Sequence, residues 1–135
     1  MHLQAPLLLM AISGIWTWVT ADDWQAPADA AAVINPIPST PEASYGGAAV
    51  YRQSCLICHG ADGKGDGQGA TYLIPKPASF ADPTFQRQSD GAIAWKISTG
   101  RNAMAGFKTL SDTQRWQVVI YLRSFAPHAA SAAGK

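Results

Sequence analysis

Apolar positions recur along the middle of the chain with the period of a helix rather than a strand. Gly47, Val50, Tyr51 and Ser54 fall at i, i+3, i+4 and i+7, a small and apolar stripe that predicts a first helix running into Cys55. A second predicted helix begins after Ser89, carries Ile93 and Ile97 one turn apart, and stops at Gly100, where glycine ends helices well. Ser111 followed three residues later by Gln114 is a capping-box pattern, which starts a third helix. Trp116, Val118, Val119, Tyr121, Leu122 and Phe125 cover most of its circumference until Pro127, so it must be buried on most sides. No alternating run with hairpin turns appears, and the pattern predicts an all-α domain over residues 44–126.

The two ends differ from this middle. Leu3 to Val19 is uncharged and mostly apolar, and Val19-Thr20-Ala21 before Asp22 resembles a small-residue cleavage site. Residues 1–21 are therefore expected to be a signal peptide or a membrane anchor, and the remainder is expected to leave the cytoplasm. The seventeen residues from Leu3 to Val19 would rise about 26 Å as a helix, slightly short of a bilayer core of about 30 Å, and Trp16, Trp18 and Trp24 cluster at the interface end. No Lys or Arg precedes Pro6, so cleavage and anchoring both stay open. Residues 22–43 are rich in Ala and Pro, with Pro27, Pro36, Pro38 and Pro41, and are expected to hold no helix. They read either as an extended tether of roughly 68 Å or as a strand of chain packed along the domain surface. Residues 127–135 read as a flexible tail.

Charge narrows the function classes. Charged residues make up 14% of the chain and its formal net charge is +1, which excludes a nucleic-acid-coating protein and a disordered acidic one. The balance is uneven, because residues 22–50 hold Asp22, Asp23, Asp29 and Glu42 and no base, while residues 51–135 carry all ten bases against five acids. Such an excess suits an acidic protein partner better than a polyanion. Eighty residues of helix struggle to build a sufficient core, so something else is expected to fill it.

Both cysteines of the chain lie in Cys55-Leu56-Ile57-Cys58-His59. That is the spacing that attaches c-type haem: two thiols at a helix end each form a thioether to a haem vinyl group, and the next side chain reaches the iron from the same side. A structural zinc site would need further ligands, and there is no third Cys. A thioredoxin-like dithiol would follow a strand. A plain disulfide would leave His59 unexplained and close too small a loop to constrain much. Asp62-Gly63-Lys64-Gly65-Asp66-Gly67 is no calcium loop, since Lys64 and Leu73 stand where acidic ligands belong, and no nucleotide loop, since Gly65 follows Lys64. It reads as a turn.

With these residues in place, 44–126 resembles a class I monohaem cytochrome c of the bacterial type. The resemblance is carried by Gly47 and Tyr51, by Cys55 through Gly60, by the glycine-rich run, by Pro75-Lys76-Pro77, by Gly100 through Met104 and by Trp116 through Tyr121. It implies a small cytochrome c fold, three main helices packed around one covalently bound haem c with its iron. It implies that Gly47 and Tyr51 meet Val118 and Tyr121 where the first and last helices cross. It also implies that a carbonyl of Pro75 or Pro77 accepts a hydrogen bond from the His59 imidazole. Met104, the only Met outside the export segment, stands where the resemblance places the second axial ligand; the family commonly follows it with Pro, here Ala105. His128 is the alternative ligand, and Trp95 a weaker candidate for a haem propionate.

The implied function is a one-electron carrier and not an enzyme, passing electrons between redox proteins in the periplasm. It would be soluble or anchored to the inner membrane, free or as the cytochrome subunit of a respiratory or dehydrogenase chain. Lys64, Lys76, Lys96, Arg101 and Lys108 would form a basic ring for acidic docking faces of donor and acceptor. The alternatives are a peroxidase-like haem enzyme or a haem-based gas sensor, each with a labile Met104.

Overall fold

A computed structural model describes residues 24–127, so the expected signal peptide or anchor over residues 1–21 and the chain after Pro127, including His128, lie outside the described residues. Six helices follow in order: α1 (Ala28–Ala31), α2 (Pro41–Ser54), α3 (Leu56–His59), α4 (Pro83–Gln86), α5 (Asp90–Thr99) and α6 (Asp112–Arg123). A single 3-10 turn at Gln68–Ala70 separates α3 from α4. The described residues contain no strand, and their one isolated bridge joins Arg101 to Met104.

The three predicted helices are α2, α5 and α6, and each starts on a side-chain cap. Thr40 Oγ1 accepts from Ala43 N at 3.2 Å, Ser89 Oγ from Ala92 N at 3.1 Å, and Ser111 Oγ from Gln114 N at 3.1 Å. Gln114 Oε1 accepts in return from Ser111 N at 2.9 Å, which completes the capping box. α5 stops at Gly100, whose φ of 65° other residues rarely adopt.

α2 and α6 form the most extensive helix pair, and α5 packs on α6. Gly47 faces the backbone of Gln117 and the Cβ of Tyr121, and the Tyr51 ring meets that of Tyr121 edge-on at 5.2 Å, close to the expected crossing. Tyr51, Ile93, Val118 and Val119 are almost wholly buried, and Val50, Phe80, Ala94, Ile97 and Leu122 complete the core around them. Four consecutive or near-consecutive buried residues on α6, Val118, Val119, Ile120 and Leu122, show that it is enclosed from more than one side.

Residues 24–40 depart from the expected helix-free segment. Pro27 caps α1 and Pro41 occupies the first turn of α2, positions where the missing N–H of proline goes unused, so the prolines bound helices here instead of forbidding them. This strand of chain lies against the bundle and is not extended as a tether. Ser89 Oγ donates to the Ala31 carbonyl at 2.7 Å, and Asn35 Nδ2 donates to the Trp116 carbonyl at 3.3 Å. Gly91 on α5 is pressed so close that a Cβ there would sit 2.2 Å from the Ala30 oxygen.

Candidate functional site

The Cys55–His59 segment grows directly out of α2. Cys55 ends that helix and begins α3, donating its amide to the Tyr51 carbonyl at 2.8 Å, while His59 N donates back to the Cys55 carbonyl at 2.9 Å. The Tyr51 hydroxyl then donates to the Gly60 carbonyl at 2.7 Å, so one buried residue fixes both ends of the turn. Burial, and after it the neighbouring Cys55, push the Tyr51 phenol far above its ordinary value.

The glycine-rich run wraps this turn, as a loop with left-handed φ at Gly60, Gly63 and Gly65. Gly65 N donates to the His59 carbonyl at 2.9 Å and Gly67 N to the Cys58 carbonyl at 3.1 Å. Side chains would break the wrap, because a Cβ on Gly67 would lie 2.4 Å from the Ile57 oxygen. Gly69, in the 3-10 turn, stands beside the Cys58 sulfur.

Cys55 and Cys58 are half-buried and unpaired, so the disulfide reading has no support here. Burial first, and the nearby Cys58 second, push the Cys55 thiol up to about 11, which keeps it protonated and argues against a thiolate-driven dithiol exchange. His59 is held neutral by burial, which lowers its proton affinity. Its Nδ1 is buried with no hydrogen-bond partner. The expected acceptor is therefore not in place: the Pro77 carbonyl presses on Gly65, where a Cβ would be 2.0 Å away, and the imidazole stacks on Phe80 with centroids 4.5 Å apart and planes at 16°. Phe80 was not legible as a site residue. Its amide donates to the Gly63 carbonyl at 2.7 Å, closing the glycine-rich loop over His59, and the only local signal is an aromatic soon after Pro75-Lys76-Pro77.

Met104 is carried separately, on the loop after α5, and is half-buried. Trp95 lines an open pocket of about 310 Å³ with Ala30, Val33 and Trp116, so it faces the packed amino-terminal segment. The expected basic ring is uneven. Lys96 donates to Gln88 Oε1 at 2.6 Å and lies 5.2 Å above the Trp24 ring, which spends it on the same amino-terminal strand. Lys76 Nζ donates to the Ala70 carbonyl at 3.2 Å, and Lys64 pairs with Asp62 at 3.5 Å. Arg101 and Lys108 are exposed, and Arg101 is bridged to Met104. Large apolar side chains are exposed on α3 and the loop beyond the 3-10 turn: Ile57 at 57%, Tyr72 at 93% and Ile74 at 97%.

Comparison with known proteins points the same way. Residues 43–122 match the family described as cytochrome c oxidase, cbb3-type, subunit III. The thiosulfate dehydrogenase of Allochromatium vinosum is 37% identical over 84 residues, 56% of this chain and 29% of that protein. The thiosulfate dehydrogenase of Stutzerimonas stutzeri is 31% identical over 86 residues, 58% of this chain and 26% of that protein. The chain thus spans less than a third of the length of these curated relatives. Among solved structures, the reducing HAO-like protein complex of Kuenenia stuttgartiensis aligns with a TM-score of 0.61 at 29% identity, over 68% of this chain and 47% of that one. The KustC0563 c-type cytochrome aligns with a TM-score of 0.51 at 31% identity, over 60% of this chain and 98% of that one.

The residues present fit the haem c that this likeness implies. Two unpaired thiols stand at i and i+3 on one turn, apolar surface adjoins them, and a half-buried imidazole held neutral follows at once.

Proposed function

The chain belongs to the cbb3-type cytochrome c oxidase subunit III family as a class I monohaem cytochrome c with covalently bound haem c, and on that premise we propose that it is a one-electron carrier in which Cys55 and Cys58 would hold the haem and His59 and Met104 would ligate its iron. The bound group supplies reversible one-electron exchange between ferric and ferrous iron. The chain supplies attachment and orientation. Burial keeps His59 unprotonated and able to offer a lone pair, and the Phe80 ring stacked on it limits how the imidazole turns. With both His59 and Met104 engaged, no site would remain for a small molecule, which favours electron transfer over substrate activation.

The partners are redox proteins. Thiosulfate dehydrogenases among the relatives support a place beside a dehydrogenase of a reduced sulfur compound, with this chain as its electron-accepting module. Arg101 and Lys108, exposed near Met104, suit an acidic docking face. The apolar leader and the haem attachment together support a periplasmic location, soluble or held at the inner membrane. Among the described residues no helix is long and apolar enough to cross a membrane.

The observation that carries this reading is the turn itself, two free thiols at i and i+3 followed at once by a half-buried His59 that burial keeps neutral. Its test is spectroscopic. The oxidised protein is expected to show the weak long-wavelength band of ferric haem ligated by a methionine sulfur, Met104→Ala to lose it, and acid-acetone to leave the pigment on the polypeptide. A high-spin oxidised spectrum with rapid cyanide binding would instead identify the peroxidase-like or gas-sensing alternative.

A further inference from the structure

Met104 is half-buried on a loop whose neighbours Arg101, Asn102, Ala103, Ala105 and Gly106 are all exposed. A methionine side chain has three rotatable bonds, so one fixed sulfur position on such a loop has to come from the backbone. The backbone is unusually committed there. Arg101 N donates to the Met104 carbonyl at 2.9 Å and Met104 N donates to the Arg101 carbonyl at 3.0 Å, so both main-chain polar groups of Met104 are engaged by one residue across a two-residue turn.

That turn is possible because Asn102 takes a φ of 53°, the only positive value among the described residues other than glycine. Asparagine tolerates this region; a β-branched residue does not. The base of the loop is equally tight. A Cβ on Gly100 would lie 2.4 Å from the Met104 oxygen and 2.4 Å from the Gly106 amide, and one on Gly106 would lie 2.6 Å from the Ser98 oxygen. Phe107 N closes the loop onto the core by donating to the Ile97 carbonyl at 2.8 Å.

We propose that the Arg101–Met104 turn is a positioning device for the iron's second protein ligand, with Asn102 and Gly100 as the positioning residues that hold the Met104 main chain. The inference rests on Met104 being that ligand. No proline follows Met104 in this chain, and the paired hydrogen bonds restrict the main chain in its place.

The test uses the haem-loaded full chain with Asn102→Val, Gly100→Ala, Asn102→Gly and Met104→Ala. Asn102 is exposed, so its variants leave the core intact, and haem content with far-ultraviolet dichroism confirms this. Asn102→Val and Gly100→Ala are expected to weaken the long-wavelength band and to tighten imidazole binding to the oxidised protein by about tenfold. Asn102→Gly, which adopts positive φ freely, is expected to keep imidazole affinity within about twofold of the parent. If Met104→Ala loses the band while Asn102→Val and Gly100→Ala keep parental band and affinity, the positioning role is wrong and the ligand stands. If Met104→Ala keeps the band, the ligand assignment falls and the positioning role with it.

Discussion

A Cβ added to Gly47 would lie 2.0 Å from the carbonyl oxygen of Gln117, so these two residues set how closely α2 and α6 approach. Backbone cannot swing aside as a side chain does. Gly47→Ala is therefore expected to cost about 1–3 kcal/mol through overpacking, even after the helix-propensity gain of about 1 kcal/mol. Gly46→Ala is the contrast, since its Cβ would meet only the end of the Gln117 side chain, which can move. Denaturant midpoints of the two haem-loaded variants should fall on opposite sides of the parent, or Gly46→Ala should match it.

Tyr51 gives an alkaline prediction. The ordinary value of its phenol is 10.0, and burial holds it well above that in the folded chain. The unfolded chain thus loses this proton first, so the contribution is intact below about pH 10 and is lost as pH rises further. Tyr51→Phe should flatten that decline. At neutral pH it should cost about 1 kcal/mol, because the bond to the Gly60 carbonyl goes while that oxygen keeps a longer contact from Gly63 N at 3.3 Å. Thermal unfolding at neutral and alkaline pH measures both.

The amino-terminal strand can be loosened without touching the site. Gly91→Ala places a methyl 2.2 Å from the Ala30 oxygen and 2.6 Å from the Val33 oxygen. It should expose residues 28–40 to limited proteolysis while the visible spectrum stays unchanged, with a loss of about 1–2 kcal/mol in overall stability. Cleavage sites mapped by mass spectrometry decide it.

Arg123 ties α6 to the start of α5. Its Nε and Nη2 donate to Asp90 Oδ1 at 2.9 and 2.6 Å, and Nη1 and Nη2 reach the carbonyls of Gln86 and Gln88 at 2.9 and 2.6 Å. A lysine has no planar fork, so Arg123→Lys should lose about 1–3 kcal/mol, read as a lower denaturant midpoint.

What could be read from the residues was what local chemistry decides. Ser89, Ser111, Gln114 and Gly100 act within four positions of the helix ends they govern, and the thiol and imidazole spacing of Cys55 to His59 is a property of five adjacent residues. Shape complementarity between distant segments was not legible. Nothing local to Ala30 or Val33 tells that α5 keeps a glycine at 91 to receive them, and nothing near Phe80 tells that it stacks on His59. The Pro75 and Pro77 expectation missed for a related reason: the Pro77 carbonyl lies against Gly65, twelve positions away, while His59 Nδ1 has no partner.

Tyr51 grips Cys55 with its carbonyl and Gly60 with its hydroxyl, and it sits one helical turn beyond Gly47. The attachment segment therefore inherits its placement from the same helix that bears the crossing. A wedge driven between α2 and α6 is therefore felt at the attachment turn through Tyr51, by its carbonyl as well as its hydroxyl, and the colour of the loaded protein becomes a gauge of strain at a distant helix contact.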